Sequence, residues 1–521
     1  MSGIPRPQTV PKSRLTALAS LAGAELIGAD TSVTGVTHAS GEVRPGELYA
    51  ALPGSRRHGA EFAGAAAAAG AVAVLTDPAG RDQAADAGLP VLVVGEPREA
   101  LGPVASAIYG DPTARLTMIG ITGTAGKTST AYLVESGLRA AGLTTGLIGT
   151  VETRLGDLVV DSVRTTPEAA DLHAMLAWAV EHGVTAVVME VSSHALVMGR
   201  VGGVRFDVGG YTNFGLDHLD FHTDAEDYFA AKARLFDGRC RFEVLNLDDE
   251  ALRPLFKPAT LSYSANGARE ATWWASDIRP SRFGQRFVAH GTPPAPGPAD
   301  GAENQRETVT VEAGVALPGR HNVANALLAQ AMLVAAGTDP RIAARGIANC
   351  PGVPGRLELV ASPGEVLGVV DYAHKPDAIV AALLALRELA TGRGGRLICV
   401  IGAGGDRDRG KRPLMGAAAA RGADLVVVTD DNPRTEDPAA VRAAVRAGAE
   451  ESGAAAKIIE IAGRRAAIDE AVRLAARGDV VAVLGKGHER GQEVGGEILP
   501  FDDRVELTAA LTAAATPEDA A

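Results

Sequence analysis

The sequence predicts an α/β architecture of three domains, with mostly parallel sheets covered by helices. Two observations carry that prediction. Short, continuously apolar runs alternate with amphipathic stretches over most of the chain, as expected of strands buried on both faces. Two segments dense in proline and glycine interrupt the alternation, and a chain of 521 residues suits roughly three or four domains.

Taken in order, strands are expected over 71–76, 91–94, 116–121, 184–191, 243–247, 366–370, 397–401, 425–429 and 480–484. Helices are expected over 128–141, 167–182, 378–390 and 464–476, where apolar residues recur at helical spacing, and over 224–236. The run Tyr109-Gly-Asp-Pro-Thr113 stops a helix just before a new strand. The run Cys350-Pro-Gly-Val-Pro-Gly-Arg356 separates a helical region from a fresh series of strands. The domains are therefore cut at 1–112, 113–350 and 351–521. The stretch 291–307 is rich in Pro, Gly and Ala and reads as a mobile surface loop of the middle domain, and the end from about 513 as a frayed tail.

Composition excludes several classes. Lys and Arg number 50 against 63 Asp and Glu, a net charge of −13, so a duplex nucleic acid is not the expected partner. Hydrophobic residues at 46% and charged residues at 22% describe a chain with ample core. Cys240, Cys350 and Cys399 lie far apart with no CxxC spacing, which gives neither a disulfide framework nor a zinc pattern. The first fifteen residues are polar and no run is long enough to span a bilayer. A cytoplasmic protein is expected, a monomer without membrane or nucleic-acid partners.

The predicted strand at 116–121 runs into Thr122-Gly-Thr-Ala-Gly-Lys-Thr-Ser129, which opens a helix. Gly123 and Gly126 let the backbone of such a P-loop-type turn aim N–H groups at phosphate oxygens. Thr124 and Ser129 belong to the same loop, Lys127 meets the terminal phosphates, and Thr128 is placed to ligate Mg²⁺. The pattern departs from the usual spacing, because Ile stands at 121 and the nearest glycine is Gly120.

Further motifs follow in order: Thr165-Thr-Pro-Glu168, Glu190-Val-Ser-Ser-His-Ala-Leu196, Asn213 with Asp217-His-Leu-Asp220, Tyr228–Phe236, His321-Asn-Val-Ala-Asn325, Gly355-Arg356, Asp371-Tyr-Ala-His374, Gly404-Gly-Asp-Arg-Asp408, Asp431-Asn-Pro-Arg434 and Gly485-Lys-Gly-His-Glu489. Together they resemble the Mur ligases, ATP-dependent amide ligases of peptidoglycan precursor synthesis, over about 33–503. More closely they resemble the branch that adds 2,6-diaminopimelate to the D-glutamate γ-carboxylate of UDP-N-acetylmuramoyl-L-Ala-D-Glu. The resemblance implies a first domain for the uridine nucleotide, a central ATP domain, and a Rossmann-like C-terminal domain that delivers the amino acid.

It also implies the chemistry. An amine does not attack a free carboxylate, because the carbon is shielded by charge and oxide does not leave. ATP converts the carboxylate to an acyl phosphate, the amine attacks, and phosphate departs with ADP already formed. Charge neutralisation between two anions is then the main catalytic need.

By resemblance, Lys127, Lys232 and His218 are catalytic. Two Mg²⁺ ions are expected, one at Thr128 and Glu190, the other at His218 and Lys232. Lys232 is expected as a carbamate derived from CO₂, since an ammonium would repel a hard cation. The nucleotide is expected to meet Asn322 or Asn325 near adenine, and Arg356 and Asp371 near ribose or phosphate. HNVAN replaces the family's more usual aromatic-Asn pattern, and Lys375 stands where Thr is common.

The uridine substrate is assigned Ser40, Thr165, Thr166, Ser192 and Arg200, with Arg200 forking onto a carboxylate. Ala39 and Gly41 flank Ser40 where the family carries Asp and Arg. Diaminopimelate is assigned Arg407, Asp431, Asn432, Arg434, Gly485 and Glu489, with Arg434 reading the second carboxylate that lysine lacks.

Two alternatives are weaker. Folylpolyglutamate synthetase shares the phosphate loop and the lysine but not the DNPR and GKGHE motifs. A nucleotide-driven switch protein has no need of the assembled acid, histidine and lysine.

Overall fold

The computed structural model describes residues 4–294 and 307–515. The loop expected at 291–307 and the tail expected from 513 fall mostly outside these residues. The chain forms two compact units. The first takes its residues from Met1–Ser276, Ala289–Glu312 and Ala324–Ile347, the second from Asp277–Val288, Ala313–Val323 and Ala348–Ala521.

The first unit begins with a five-stranded sheet in the order Glu25–Ile27, Val91–Val93, Ala73–Thr76, Leu48–Ala50 and Val36–Thr37. It is parallel except at the Glu25–Ile27 edge. Its interior joins Leu48, Leu75 and Leu92 to Leu101, Val104 and Ile108 of helix Pro97–Ile108. That helix stops at Ile108, Gly110 and Asp111 follow at positive φ, and the next long strand starts at Thr117.

A larger sheet of the first unit is built around Thr117–Thr122. Thr117–Thr122 lies between Ala186–Glu190 and Phe206–Tyr211 and pairs parallel with both. Thr145–Ile148 adds on the Ala186–Glu190 side, and Cys240–Asn246 and Leu261–Ser264 add on the other. The strand order therefore reverses beside Thr117–Thr122, and in open parallel sheets ligands bind beyond the carboxyl ends of strands at such a switch. Gly120 lies inside this strand, where a Cβ would come 2.8 Å from the Phe206 ring, so it serves packing rather than the phosphate loop.

The second unit holds a six-stranded sheet in the order Glu358–Val360, Leu367–Asp371, Val480–Leu484, Leu397–Ile401, Leu425–Val428 and Lys457–Glu460, parallel except for the first pair. Alternate residues of each strand enter opposite cores. Cys399 and Ile401 pack with helix residues Ile379, Leu383 and Met415, while Ile398 and Val400 pack with Ile468, Val472 and Leu507. Burial on both faces accounts for the unbroken apolar runs that made these strands legible.

Candidate active site

The phosphate loop leaves the switch-point strand and enters helix Lys127–Ala140 through Gly126 at φ 83. A Cβ on Gly126 would lie 2.5 Å from Asn325 Oδ1, and one on Gly123 would lie 1.9 Å from Thr212 Oγ1, so both positions need glycine for space as well as for conformation. Asn213 braces the loop from the next strand's end. Its carbonyl accepts the Thr124 N–H at 2.8 Å and its Oδ1 accepts the Ala125 N–H at 3.1 Å. The helix N-terminus, with its first-turn N–H groups and dipole directed outward, suits an anion. Lys127 Nζ folds back onto the Gly123 and Thr124 carbonyls at 2.9 and 3.1 Å.

Glu190 ends its strand only 1% exposed. The Thr128 hydroxyl donates to its carboxylate at 3.0 and 3.1 Å, and Thr150 contributes its N–H at 2.8 Å. A Cβ on Gly149 would lie 2.5 Å from Glu190 Oε1, so the carboxylate rests against bare backbone. A buried carboxylate and hydroxyl at a phosphate loop are a hard oxygen pair, and they fit Mg²⁺, which takes few protein ligands and keeps its other positions for water and phosphate. Among the described residues no group of three or more His, Cys, Asp and Glu could hold a metal ion.

Lys232, on helix Ala225–Ala233, is 1% exposed and not on a solvated helix face. Its Nζ donates to the Gly123 carbonyl at 2.9 Å and sits 4.6 Å from the Tyr228 ring centre. Tyr228 is the hub of this corner. Its hydroxyl lies 3.3 Å from Thr124 Oγ1, its ring lies 6.0 Å from that of His218, and burial raises its pKa well above the usual range. His218 adopts φ 54 and faces Asp217 at 3.4 Å. His222, buried between Ser193 at 3.0 Å and Asp227 at 3.2 Å, stands in the same aromatic group.

Sequence reasoning passed over Tyr228, His222 and Thr150 as site residues. Tyr228 sits one turn before Lys232, so spacing alone carried the signal for it.

Thr165 and Thr166 adjoin this corner. Thr165 Oγ1 lies 3.0 Å from Thr150 Oγ1, and the Thr166 hydroxyl donates to the Glu190 carbonyl at 2.8 Å and accepts the Ser192 N–H at 3.2 Å. Arg200 is buried and paired with Glu168 at 2.9 Å, a partner that the sequence did not suggest. Ser40 opens a short helix, Ser40–Glu42, and the Tyr49 hydroxyl donates to the Gly59 carbonyl at 2.9 Å. Asn325 lies against the phosphate loop at Gly126, while the Asn322 amide donates to the Pro318 carbonyl at 2.8 Å.

In the second unit the carboxyl ends of three neighbouring strands carry Gly402–Asp408, Asp431–Arg434 and Gly485–Glu489. Asn432 donates to Glu489 at 2.9 Å, and Lys486, fully buried, donates to Asn432 Oδ1 at 2.9 Å and to Glu489 at 3.0 Å. Lys486 was quoted within a motif but not singled out. A Cβ on Gly485 would lie 2.5 Å from Asp431 Oδ2, so this glycine lets the two loops touch.

Arg434 bonds the Gly405 carbonyl at 2.7 Å and Glu493 at 3.0 Å, while Arg407 is exposed. Glu436 ties the first two loops together through Arg412, whose guanidinium, helped by the Asp406 N–H, holds its pKa down at about 2.

Arg356 stacks on Tyr372 at 4.6 Å, and Asp371 accepts the Leu357 and Ala373 N–H groups at 2.7 Å each. Burial raises the Asp371 pKa, against the pull of Arg356.

A loop, strand-end acid and lysine of this kind suit phosphoryl transfer from ATP, and comparison with known proteins makes the enzyme an ATP-dependent ligase. Residues 121–333 match the Mur ligase middle domain, 355–487 the Mur ligase glutamate ligase domain, and 32–109 the Mur ligase family catalytic domain. The chain belongs to the Mur ligase family. It is 51% identical over 515 residues to the UDP-N-acetylmuramoyl-L-alanyl-D-glutamate–2,6-diaminopimelate ligase of Streptomyces avermitilis, with 98% of each chain covered. It is 48% identical over 476 residues to the ligase of the same name from Corynebacterium glutamicum, with 89% of each covered. A solved structure of a ligase of that name superposes with a TM-score of 0.65 at 31% identity, covering 95% of this chain and 98% of the other.

Proposed function

We propose that this enzyme joins 2,6-diaminopimelate to the D-glutamate γ-carboxylate of UDP-N-acetylmuramoyl-L-Ala-D-Glu, converting ATP to ADP and phosphate through an acyl phosphate. The buried Thr128–Glu190 pair beside Lys127 carries the reaction type. The relatives' names and the Asp431–Arg434 segment carry the substrate.

Mg²⁺ at Thr128 and Glu190 would screen charge on the nucleotide, and a second ion at His218 and Lys232 would do so on the acceptor. Lys127 contributes a fixed cation near the transferred phosphoryl group, and the helix N-terminus orients the phosphates. The substrate carboxylate oxygen attacks the γ-phosphorus and ADP leaves. The amine of diaminopimelate then attacks the acyl carbon, loses a proton, and phosphate departs. Ser40, Thr165, Thr166, Ser192 and Arg200 serve the uridine substrate in this reading. Asn322 or Asn325 with Arg356 and Asp371 serve the nucleotide. Arg407, Asp431, Asn432, Arg434, Gly485 and Glu489 serve diaminopimelate, and the domains fall at 1–112, 113–350 and 351–521.

Lys232 is a carbamate in the working enzyme in this reading. The corner it occupies, a carbonyl and an aromatic face, also suits a cation. Intact mass separates the two, because full activity with an unmodified lysine would exclude the carbamate. A cytoplasmic monomer fits the substrates, and no helix among the described residues is long and apolar enough to cross a membrane.

The deciding experiment supplies ATP, Mg²⁺ and the UDP-muramoyl dipeptide with meso-diaminopimelate, LL-diaminopimelate or lysine in turn. Amide formation with a diaminopimelate, and a hydroxamate trapped when hydroxylamine replaces the amine, are expected. Their joint absence would sink the assignment.

A further inference from the structure

Resting on that ligase reading, we propose that Glu493 is a positioning residue for Arg434 and so sets both the affinity for diaminopimelate and the discrimination against lysine. Glu493 lies outside every motif quoted above. It is carried by a hairpin, Gly491–Val494 with Glu497–Pro500, turned at Gly495 and Gly496, both at positive φ. One strand of this hairpin lies along the Asp431–Arg434 segment. The Arg434 N–H donates to the Glu493 carbonyl at 3.0 Å and the Gly495 N–H donates to the Arg434 carbonyl at 2.7 Å. Glu493 N–H donates to Asn432 Oδ1 at 3.0 Å, and the Gln492 amide donates to the Asp431 carbonyl at 2.6 Å.

Arg434 is held at φ 53, a conformation unfavourable for a residue with a side chain, and such outliers persist where the surroundings over-determine them. Here the surroundings are the hairpin. The strained backbone aims a guanidinium whose rotation is then fixed at two points, by Glu493 Oε2 on Nε at 3.0 Å and by the Gly405 carbonyl on Nη1 at 2.7 Å. With Nε and one Nη1 hydrogen committed, the remaining N–H groups on Nη1 and Nη2 form the edge for a substrate carboxylate. Without Glu493 the guanidinium pivots about a single bond, and a carboxylate must order it on binding.

The side chains of Arg434 and Glu493 are 21% and 39% exposed, so their ion pair adds little to stability, and its effect is directional. A directional effect is separable from a structural one. Lysine has no second carboxylate and gains nothing from an aimed guanidinium.

The test measures kcat and KM for ATP, for lysine and for whichever diaminopimelate isomer the wild type uses, in wild type, Glu493→Ala, Glu493→Gln and Arg434→Ala. In Glu493→Ala the diaminopimelate KM is expected to rise about tenfold, the loss of one charge-assisted bond, with kcat, the ATP KM and residual lysine turnover within about twofold. Glu493→Gln, whose amide oxygen still accepts from Nε, stays within about threefold of wild type. Arg434→Ala marks the upper limit of the loss. An unchanged or lower diaminopimelate KM in Glu493→Ala overturns the inference. So does equal damage in both Glu493 variants, or a loss shared by ATP and lysine. A wild type that ligates neither isomer removes the ligase reading itself, whereas an active wild type with an indifferent Glu493→Ala removes only this inference.

Discussion

Thr128 is where the phosphate loop and the strand-end acid meet, and a single hydroxyl makes that join. It donates to both oxygens of a carboxylate that is 1% exposed, and a buried carboxylate that loses a donor keeps the whole desolvation cost. Thr128→Val keeps the shape and removes the donor. The expected result is a fall in kcat of about a hundredfold, the size seen when one preorganised polar contact at a transition state is lost, together with weaker Mg²⁺ dependence. Thr128→Ser restores the hydroxyl and is expected to recover most of the rate. A valine variant with wild-type turnover and metal response would show that Glu190 acts without its partner.

The same scale separates what was readable from what was not. Gly123, Gly126, Lys127, Thr128 and Glu190 announce themselves because phosphate chemistry needs those residue types consecutively or at a strand end. His222 and Thr150 act through contacts between distant segments, and nothing in their local spacing marks them, whereas Tyr228 stands one helical turn before Lys232.

Elements were legible in proportion to how fully they are buried. Leu397–Ile401 and Val480–Leu484 fall on the residues expected, because a strand with apolar side chains on both faces declares its own ends. Strands of two or three residues, such as Val36–Thr37 and Leu48–Ala50, are too short to have a period. The Gly491–Pro500 hairpin has one half-buried and one exposed strand, with Ile498 and Leu499 open to solvent, so no buried pattern marks it and its Gly-Gly turn went unread although the turn signal was present.

Helix packing in the second unit was equally hidden. Helices Lys411–Gly422 and Pro438–Glu451 cross so closely that a Cβ on Gly416 would lie 1.9 Å from the Val445 carbonyl oxygen, and one on Gly448 would lie 2.0 Å from that of Pro413. Each obstacle is backbone, which moves only with its helix. Gly416→Ala and Gly448→Ala are each expected to destabilise by about 2 kcal/mol or more. One displacement of the two helices relieves both clashes, so the double variant costs clearly less than the sum of the singles. Denaturant unfolding of the three variants checks this, and strict additivity would mean that the two sites yield independently.

Among the described residues, burial lowers the pKa of five histidines and so couples stability to acid, His194 and His321 among them. His173 in the first unit, and His374 and His488 in the second, each have a pKa lowered to about 4, chiefly by burial, with neighbouring cations adding to the effect at His374 and His488. The sign follows from the unfolded value of about 6.5. Above that value both states are neutral and stability is full. As pH falls from about 6.5 toward 4 the unfolded chain takes protons that the folded chain refuses, so stability declines throughout that window. Asp371 opposes the trend, since burial raises its pKa and favours its protonated form in acid.

His173 is the cleanest probe, because its Nε2 meets the Gly202 carbonyl at 2.9 Å and it lies in none of the site clusters. Refusing the proton costs the folded state on the order of 3 kcal/mol at the acid end of the window. In His173→Gln the amide keeps a donor for Gly202 and loses the titration. The slope of unfolding free energy against pH between about 4.5 and 6 is therefore expected to drop by close to one proton relative to wild type, with little difference at pH 8. If the slope is unchanged, His173 takes up its proton inside the folded protein, and the histidine part of the acid sensitivity belongs to His194, His321, His374 and His488.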